Sequence, residues 1–85
     1  MFHVYVLQSE KDKTLYIGMT EDISKRLSGH NRGKTKSTKA RVPYKLIYSE
    51  IYQTKTDALR RERQIKKSGK VRSELKAGIY SGPIV

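Results

Sequence analysis

The sequence predicts a small α+β domain in which helices pack on a three-stranded antiparallel sheet. Aromatic and β-branched residues concentrate in three short runs, and amphipathic segments bounded by polar caps and glycines separate and follow them. The predicted element order is β-β-α-β-α-α, which is typical of the α+β class. A chain of 85 residues suits one domain. We place that domain at residues 1–78 and expect a disordered tail at residues 79–85.

The first two strands are predicted to form a hairpin. Residues 2–8 are rich in aromatic and β-branched types, and strand alternation puts Val4 and Tyr5 on opposite faces. A short polar connection leads to a second strand at residues 14–17. Gly18 follows this strand and closes it. Glycine allows either a turn or a close approach that other residues forbid, and the simplest interpretation of Gly18 is a turn glycine.

The first helix is predicted to begin after a cap at Thr20 and to run to about His30. Ile23, Leu27 and His30 are spaced i, i+4 and i+7, so they share one face. Gly33 follows shortly and favours the end of this helix.

The second half of the chain predicts one strand and two helices. Residues 44–52 form the third strand, with Leu46 and Tyr48 on the same face if the strand is regular. A helix is expected over residues 55–67, ended by a Ser-Gly pair. A last short helix is expected over residues 70–77.

The charge balance indicates a polyanionic partner. Nineteen Lys and Arg residues stand against eight Asp and Glu, for a net charge of +11. Nucleic acid is the common partner of such a chain and an anionic membrane surface the rarer one. The absence of cysteine excludes disulfides and thiolate metal sites. With no apolar run near ~20 residues and no signal-peptide pattern, we expect a cytoplasmic monomer that does not enter membranes.

Glu62 breaks the local pattern of its helix. Ala58, Glu62 and Ile65 are spaced i, i+4 and i+7, so the carboxylate lies on the apolar face. Burying a carboxylate is costly unless a cation or protein donors meet it. The ordinary alternative is a glutamate at the edge of the face, paired with one of the nearby arginines.

Four other side chains are candidates for chemistry. Arg26 and His30 lie four residues apart on the first helix and reach over the same surface, although each alone is an ordinary helix residue. Tyr5 and Tyr16 lie on adjacent strands and share a face in one of the two possible registers, where they are also a normal packing pair. A phenol with a pKa of ~10 becomes a plausible base only near cations or a metal-bound water.

These residues together resemble the GIY-YIG family of nucleases. Tyr16-Ile17-Gly18 copies the second half of the motif, and Val4-Tyr5-Val6 occupies the place of the first half. The resemblance runs from about Phe2 to about Lys76 and is closest to the short stand-alone bacterial members, which are similar to the nuclease domain of the excision-repair endonuclease. The residues that carry it in order are Tyr5, Tyr16, Gly18, Arg26, His30 and Glu62.

The resemblance implies a metal-dependent endonuclease that hydrolyses DNA phosphodiester bonds, with repair or recombination as its expected context and RNA left open as a substrate. It implies that Glu62 holds one Mg²⁺ or Mn²⁺ ion and that Arg26 grips a phosphate oxygen. Tyr16 or Tyr5 takes the proton of the attacking water, and His30 assists. Gly18 has a structural role.

We expect the basic loop at residues 32–41 and the Arg- and Lys-rich helical segment at residues 60–72 to contact the nucleic-acid backbone. The residues are Arg32, Lys34, Lys36, Lys39, Arg41, Arg60, Arg61, Lys66 and Lys67. The excision-repair endonuclease usually has lysine where this chain has Met19, and many family members carry an asparagine near the last helix, where this chain has none. These two departures keep open a non-catalytic nucleic-acid-binding module on the same fold. A basic module that binds a protein or anionic lipid is the least favoured alternative.

Overall fold

A computed structural model describes residues 1–34 and 39–82 of the chain. Its elements confirm the predicted fold class and element order. They are β1 (Phe2–Ser9), β2 (Leu15–Thr20), α1 (Ile23–Asn31), β3 (Tyr44–Tyr52), α2 (Lys55–Lys67) and α3 (Gly69–Ala77), with one 3₁₀ turn at Lys39–Arg41. None of the helices in this part of the chain combines the length and the apolar character needed to cross a membrane.

The sheet has the strand order β2-β1-β3, and both pairings are antiparallel. β1 is central because its residues are apolar on both faces, and from Val4 to Ser9 all of them are buried. Tyr5 lies opposite Gly18, and Leu7 lies opposite Tyr16. This register puts Tyr5 and Tyr16 on the same face of the sheet.

Each face of the sheet carries its own hydrophobic cluster. On one face the strands pack against α2 and α3, and the buried members are Val4, Val6, Ile17, Ala58, Ile65 and Leu75. On the other face they pack against α1, and the members are Tyr5, Leu7 and Tyr44 with the partly buried Ile23 and Leu27. The candidate tyrosines therefore face α1.

Two predicted boundaries are wrong near the end of β2. The strand continues through Gly18 to Thr20, because Gly18 pairs with Tyr5 rather than turning the chain. The helix cap is Asp22, whose side chain accepts from the backbone N–H of Lys25 at 3.0 Å. The Thr20 hydroxyl instead accepts from the backbone N–H of Asp22 at 3.2 Å.

β3 is not regular along its whole length. Leu46 lies opposite Leu7, whereas Tyr48 lies opposite Val6, because the register shifts between these two positions. The predicted shared face of Leu46 and Tyr48 is therefore wrong: the extra residue in the bulge turns them to opposite sides. As a result, Tyr48 faces α2 and α3 and Leu46 is largely exposed.

One residue joins α2 to α3. α2 has the predicted bounds, and its cap Thr54 accepts from the backbone N–H of Asp57 at 3.2 Å. Ser68 ends α2 by donating its backbone N–H to the carbonyl of Gln64, and it begins α3 by accepting from Val71 N–H at 3.1 Å. The two helices are thus connected without a loop.

Glu50 and Arg61 form a buried ion pair on the α2 face of the sheet. The guanidinium donates to both carboxylate oxygens, at 2.8 and 3.0 Å, and the two side chains are only 10% and 14% exposed. The hydroxyls of Tyr48 and Tyr52 donate to the same carboxylate. The prediction that Arg61 contacts nucleic acid is therefore wrong, because its fork is already engaged by protein groups.

The predicted tail contains one anchored residue. Tyr80 packs edge-on against Tyr48 with ring centroids 5.2 Å apart, and its hydroxyl accepts from Arg61 at 2.5 Å. The expectation of disorder from residue 79 onward is wrong at Tyr80, because its ring packs against the hydrophobic cluster between the sheet, α2 and α3. Residues 83–85 of the predicted tail lie outside the described residues.

Candidate active site

Tyr5 is held in place by its neighbour across the sheet. It is 1% exposed and lies over Gly18. A β-carbon added to Gly18 would come within 2.6 Å of the Tyr5 hydroxyl oxygen, far closer than atoms approach without a bond. Gly18 is therefore required for this close approach rather than for a turn.

Arg26 and His30 reach Tyr5 from α1. The Nε of Arg26 donates to the Tyr5 hydroxyl at 3.3 Å, and Nε2 of His30 lies 3.4 Å from the same oxygen. α1 is fixed above the sheet by the Asn31 side chain, which accepts from the N–H of Tyr44 at 2.6 Å and donates to its carbonyl at 3.0 Å. The i, i+4 spacing and this clamp bring both side chains to one phenol.

Tyr16 completes the cluster on its accessible side. Its ring meets the His30 ring edge-on at 4.5 Å and lies 6.2 Å from the Tyr5 ring. The Arg26 guanidinium also interacts with the Tyr16 phenol. Tyr16 is partly exposed, whereas Tyr5 is buried, so a substrate reaches Tyr16 first.

Burial sets the protonation of the inner pair. It raises the pKa of Tyr5, although the hydrogen bond from Arg26 opposes the shift. Burial, and secondarily the Arg26 charge, lowers the pKa of His30. Both groups are therefore neutral near pH 7, and we assign the Tyr5 proton as donated to Nε2 of His30 while Arg26 donates to Tyr5.

Glu62 lies on α2, which packs on the face of the sheet opposite to α1. Its side chain is 19% exposed, which agrees with the predicted inward orientation, and Oε2 accepts from Nζ of Lys66 at 2.8 Å. The partner is thus a lysine, not one of the arginines that the sequence suggested. The carboxylate lies near enough to Tyr5 to contribute to its raised pKa.

The donor set fits a hard divalent ion with one protein ligand. Within residues 1–34 and 39–82, no three His, Cys, Asp or Glu side chains lie close enough together to form a metal site. A single carboxylate suits Mg²⁺ or Mn²⁺, which retain several waters and take ligands from substrate phosphates. Glu62 would be the residue that holds such an ion.

The predicted nucleic-acid-binding residues have different surroundings. Arg41 pairs with Asp12 at 3.2 Å, and Arg60 lies 3.7 Å from Asp57. These pairs are exposed and weak, so both cations remain available to a polyanion. Lys36 lies outside the described residues, and the other exposed members are Arg32, Lys34, Lys39 and Lys67.

Comparison with known proteins identifies the domain. The sequence-family model described as the GIY-YIG catalytic domain matches residues 1–74. This chain belongs to the GIY-YIG family. The resemblance read from the sequence is confirmed, and it places the chain in a family of nucleases.

Relatives of this GIY-YIG domain carry the family name UPF0213, which states no activity. A UPF0213 protein of Streptococcus agalactiae is 49% identical over 71% of this chain and 68% of its own length. One from Staphylococcus saprophyticus is 45% identical over 75% and 78%. The solution NMR structure of a Bacillus halodurans UPF0213 protein is 30% identical, with a TM-score of 0.56 over 98% of this chain and 89% of that one.

Three features of the GIY-YIG site were not predicted. Tyr44 packs against His30 with ring centroids 6.1 Å apart, and it lies next to the Asn31 clamp. Lys66 was expected to contact nucleic acid, not to hold Glu62, although their i, i+4 spacing on α2 was a usable signal. The face that α3 presents to Tyr16 had no signal in the pattern, because it depends on how the last helix docks.

Proposed function

We propose that this GIY-YIG domain is an endonuclease that hydrolyses DNA phosphodiester bonds with one Mg²⁺ or Mn²⁺ ion. The observation that carries the proposal is the convergence of Arg26, His30 and both tyrosines, with Glu62 in electrostatic range of Tyr5. The net charge of +11 supports a nucleic-acid substrate. Repair or recombination of DNA is the proposed context, and the cytoplasm the proposed compartment.

Arg26 is the proposed phosphate-binding residue. Its Nε is directed by the Tyr5 hydroxyl, and the N–H groups that neither tyrosine uses are available to a non-bridging oxygen. Such a charge is most effective where negative charge develops in the transition state. Tyr5 and His30 are the proposed positioning residues for this arginine, since Tyr5 is too deeply buried to meet the substrate.

Tyr16 is the proposed base for the attacking water. It is the accessible phenol, and its hydroxyl interacts with the guanidinium of Arg26. Glu62 would hold the divalent ion, which when bound supplies positive charge to the phosphate and the leaving oxygen. The residues of α1 and β2 thus bind and orient the phosphate while Tyr16 accepts the proton.

The experiment is cleavage by Glu62→Ala, compared with the parent and with Glu10→Ala as a matched loss of an exposed carboxylate. Single-stranded, nicked, flapped and branched DNA are tested with Mg²⁺ and with Mn²⁺. We expect Glu62→Ala to lose cleavage by about 100-fold or more and to keep DNA binding, while Glu10→Ala cleaves normally. Equal cleavage by Glu62→Ala and the parent would falsify the assigned role.

A non-catalytic nucleic-acid-binding module is the second candidate function. Two observations favour it: Met19 stands where the excision-repair endonuclease usually has lysine, and Lys66 already occupies an oxygen of Glu62. This candidate predicts binding without cleavage of any substrate in the panel. Metal-dependent cutting of a single member of the panel, abolished in Glu62→Ala, removes it.

A further inference from the structure

A basic groove runs between β2, an edge strand of the sheet, and α3. It encloses about 810 Å³. Its lining includes four cations, and within the described part of the chain it includes no carboxylate. The residues that carry the argument are Arg41, Lys66, Arg72 and Lys76, with Leu15 and Tyr16 on the strand side.

The cations of α3 reach the groove because the helix docks by its other face. Val71 and Leu75 pack into the hydrophobic cluster between the sheet, α2 and α3. This packing turns Arg72 and Lys76 outward on the groove side. Neither of these two cations forms an ion pair with a carboxylate in the described residues. Gly69, the first residue of α3, also lines the groove, so the positive end of the helix dipole lies there.

The groove meets the candidate active site at Tyr16, whereas Arg26 lines a separate pocket. Tyr16 belongs to its wall, and Lys66 joins its lining to Glu62 through the 2.8 Å ion pair. A phosphodiester chain with one phosphate at Arg26 and Tyr16 would therefore meet Arg72 and Lys76 on one side. The apolar contribution of Leu15 suits the sugars and bases of nucleotides rather than a small free anion.

We propose that this groove binds the nucleotides that flank the scissile phosphate, with Arg72 and Lys76 as phosphate contacts. The proposal rests on the proposed function for the identity of the reacting centre. In this proposal the flanking nucleotides contact α3 and β2. They do not contact the exposed outer side of α2, where Arg60 and Lys67 were expected to act. Neither Arg72 nor Lys76 belongs to the motif that relates the chain to its family.

The test is binding by the double variant Arg72→Ala/Lys76→Ala. Fluorescence anisotropy is measured with labelled single-stranded and duplex oligonucleotides, without divalent metal, at about 50 and about 200 mM salt. We expect affinity to fall about tenfold at low salt and the salt slope to decrease by about 2, one per lost phosphate contact. The control Lys55→Ala/Lys70→Ala removes the same charge from exposed positions outside the groove and is expected to bind almost as the parent does.

The outcomes separate this proposal from the endonuclease. If the double variant binds both oligonucleotides with the parent's affinity and salt slope, or weakens no more than the control, the groove assignment is wrong. If binding depends on Arg72 and Lys76 but the parent and Glu62→Ala cleave equally, the groove assignment is supported and the proposed endonuclease mechanism is wrong. Thermal melting checks the fold, and Arg72→Gln/Lys76→Gln replaces the alanine pair if that pair melts early.

Discussion

The Tyr5 hydroxyl lies so close to the backbone of Gly18 that an added β-carbon would be 2.6 Å from Oη and 2.8 Å from Cζ. The two residues are direct partners in the β1–β2 ladder. Tyr5 has little freedom to move away, because its ring is buried and its hydroxyl is held by Arg26. The second glycine of the family motif is thus a packing requirement of the first tyrosine.

Gly18→Ala is expected to displace Tyr5 and to destabilise the domain by about 1–3 kcal/mol, the usual cost of overpacking. Urea denaturation measures this loss, and cleavage is expected to fall with it. Gly29→Ala is the matched control, because nothing lies within 4 Å of a β-carbon there. In the helix interior that change is expected to leave stability unchanged or to raise it by up to about 1 kcal/mol. Equal effects of the two changes would contradict the packing argument.

Tyr16→Phe is expected to lower the rate of cleavage by about 100-fold or more, as loss of a general base does. Tyr5→Phe is expected to cost less, because the buried phenol orients Arg26 and does not contact the water. Single-turnover rates with saturating DNA distinguish the two variants. Tyr52→Phe, which removes a phenol from the other face of the sheet, is the control. A larger loss in Tyr5→Phe than in Tyr16→Phe would reverse the assigned roles.

Lys66→Met is expected to strengthen Mn²⁺ binding to the free protein about two- to fivefold. The ammonium of Lys66 competes with a metal ion for Oε2 of Glu62, and an exposed pair of this kind is worth about 0.5–1 kcal/mol. Paramagnetic resonance of free Mn²⁺ measures the affinity in the absence of DNA. Lys67→Met removes the same charge one residue further and controls for the overall field. Weaker binding in Lys66→Met than in this control would count against the competition.

Glu50→Gln is expected to destabilise the domain by about 3 kcal/mol at neutral pH, because it leaves the Arg61 guanidinium buried without its counter-charge. Burial raises the pKa of Glu50, but hydrogen bonds from Arg61 and the two tyrosines outweigh it, so the pKa lies below its ordinary value of 4.5. A lowered pKa contributes stability that is present above pH 4.5 and lost as the pH falls through the folded value. Denaturation over that range should show the loss in the parent and little of it in Glu50→Gln.

The sequence predicted correctly those elements whose apolar period, cap and end residues all agree. α2 has the predicted bounds because its period, its cap and its Ser-Gly end all agree. The end of β2 and the cap of α1 were misplaced because a glycine and a threonine have more than one local use. The bulge that separates Leu46 from Tyr48 leaves no trace in the alternation of side chains.

The candidate site was predicted as a set of residues but not as a geometry. Whether Tyr5 and Tyr16 share a face depends on the strand register, and a slip of one residue would have separated them. The Glu50–Arg61 pair joins residues whose charges look like ordinary surface charges in sequence, so Arg61 was assigned to the wrong surface. Only packing shows which cations are already neutralised.

Ser68 connects α2 directly to α3, as the C-cap of one helix and the N-cap of the other. Glu62 precedes it by less than two helical turns, and Arg72 follows it by about one turn, so both side chains are carried by a single rigid bend. If the groove binds the flanking nucleotides, this connection fixes the distance between Glu62 and the phosphate contacts on α3. The scissile phosphate would then lie a fixed number of nucleotides from the phosphates that Arg72 and Lys76 hold, and inserting residues at Ser68 would change that number.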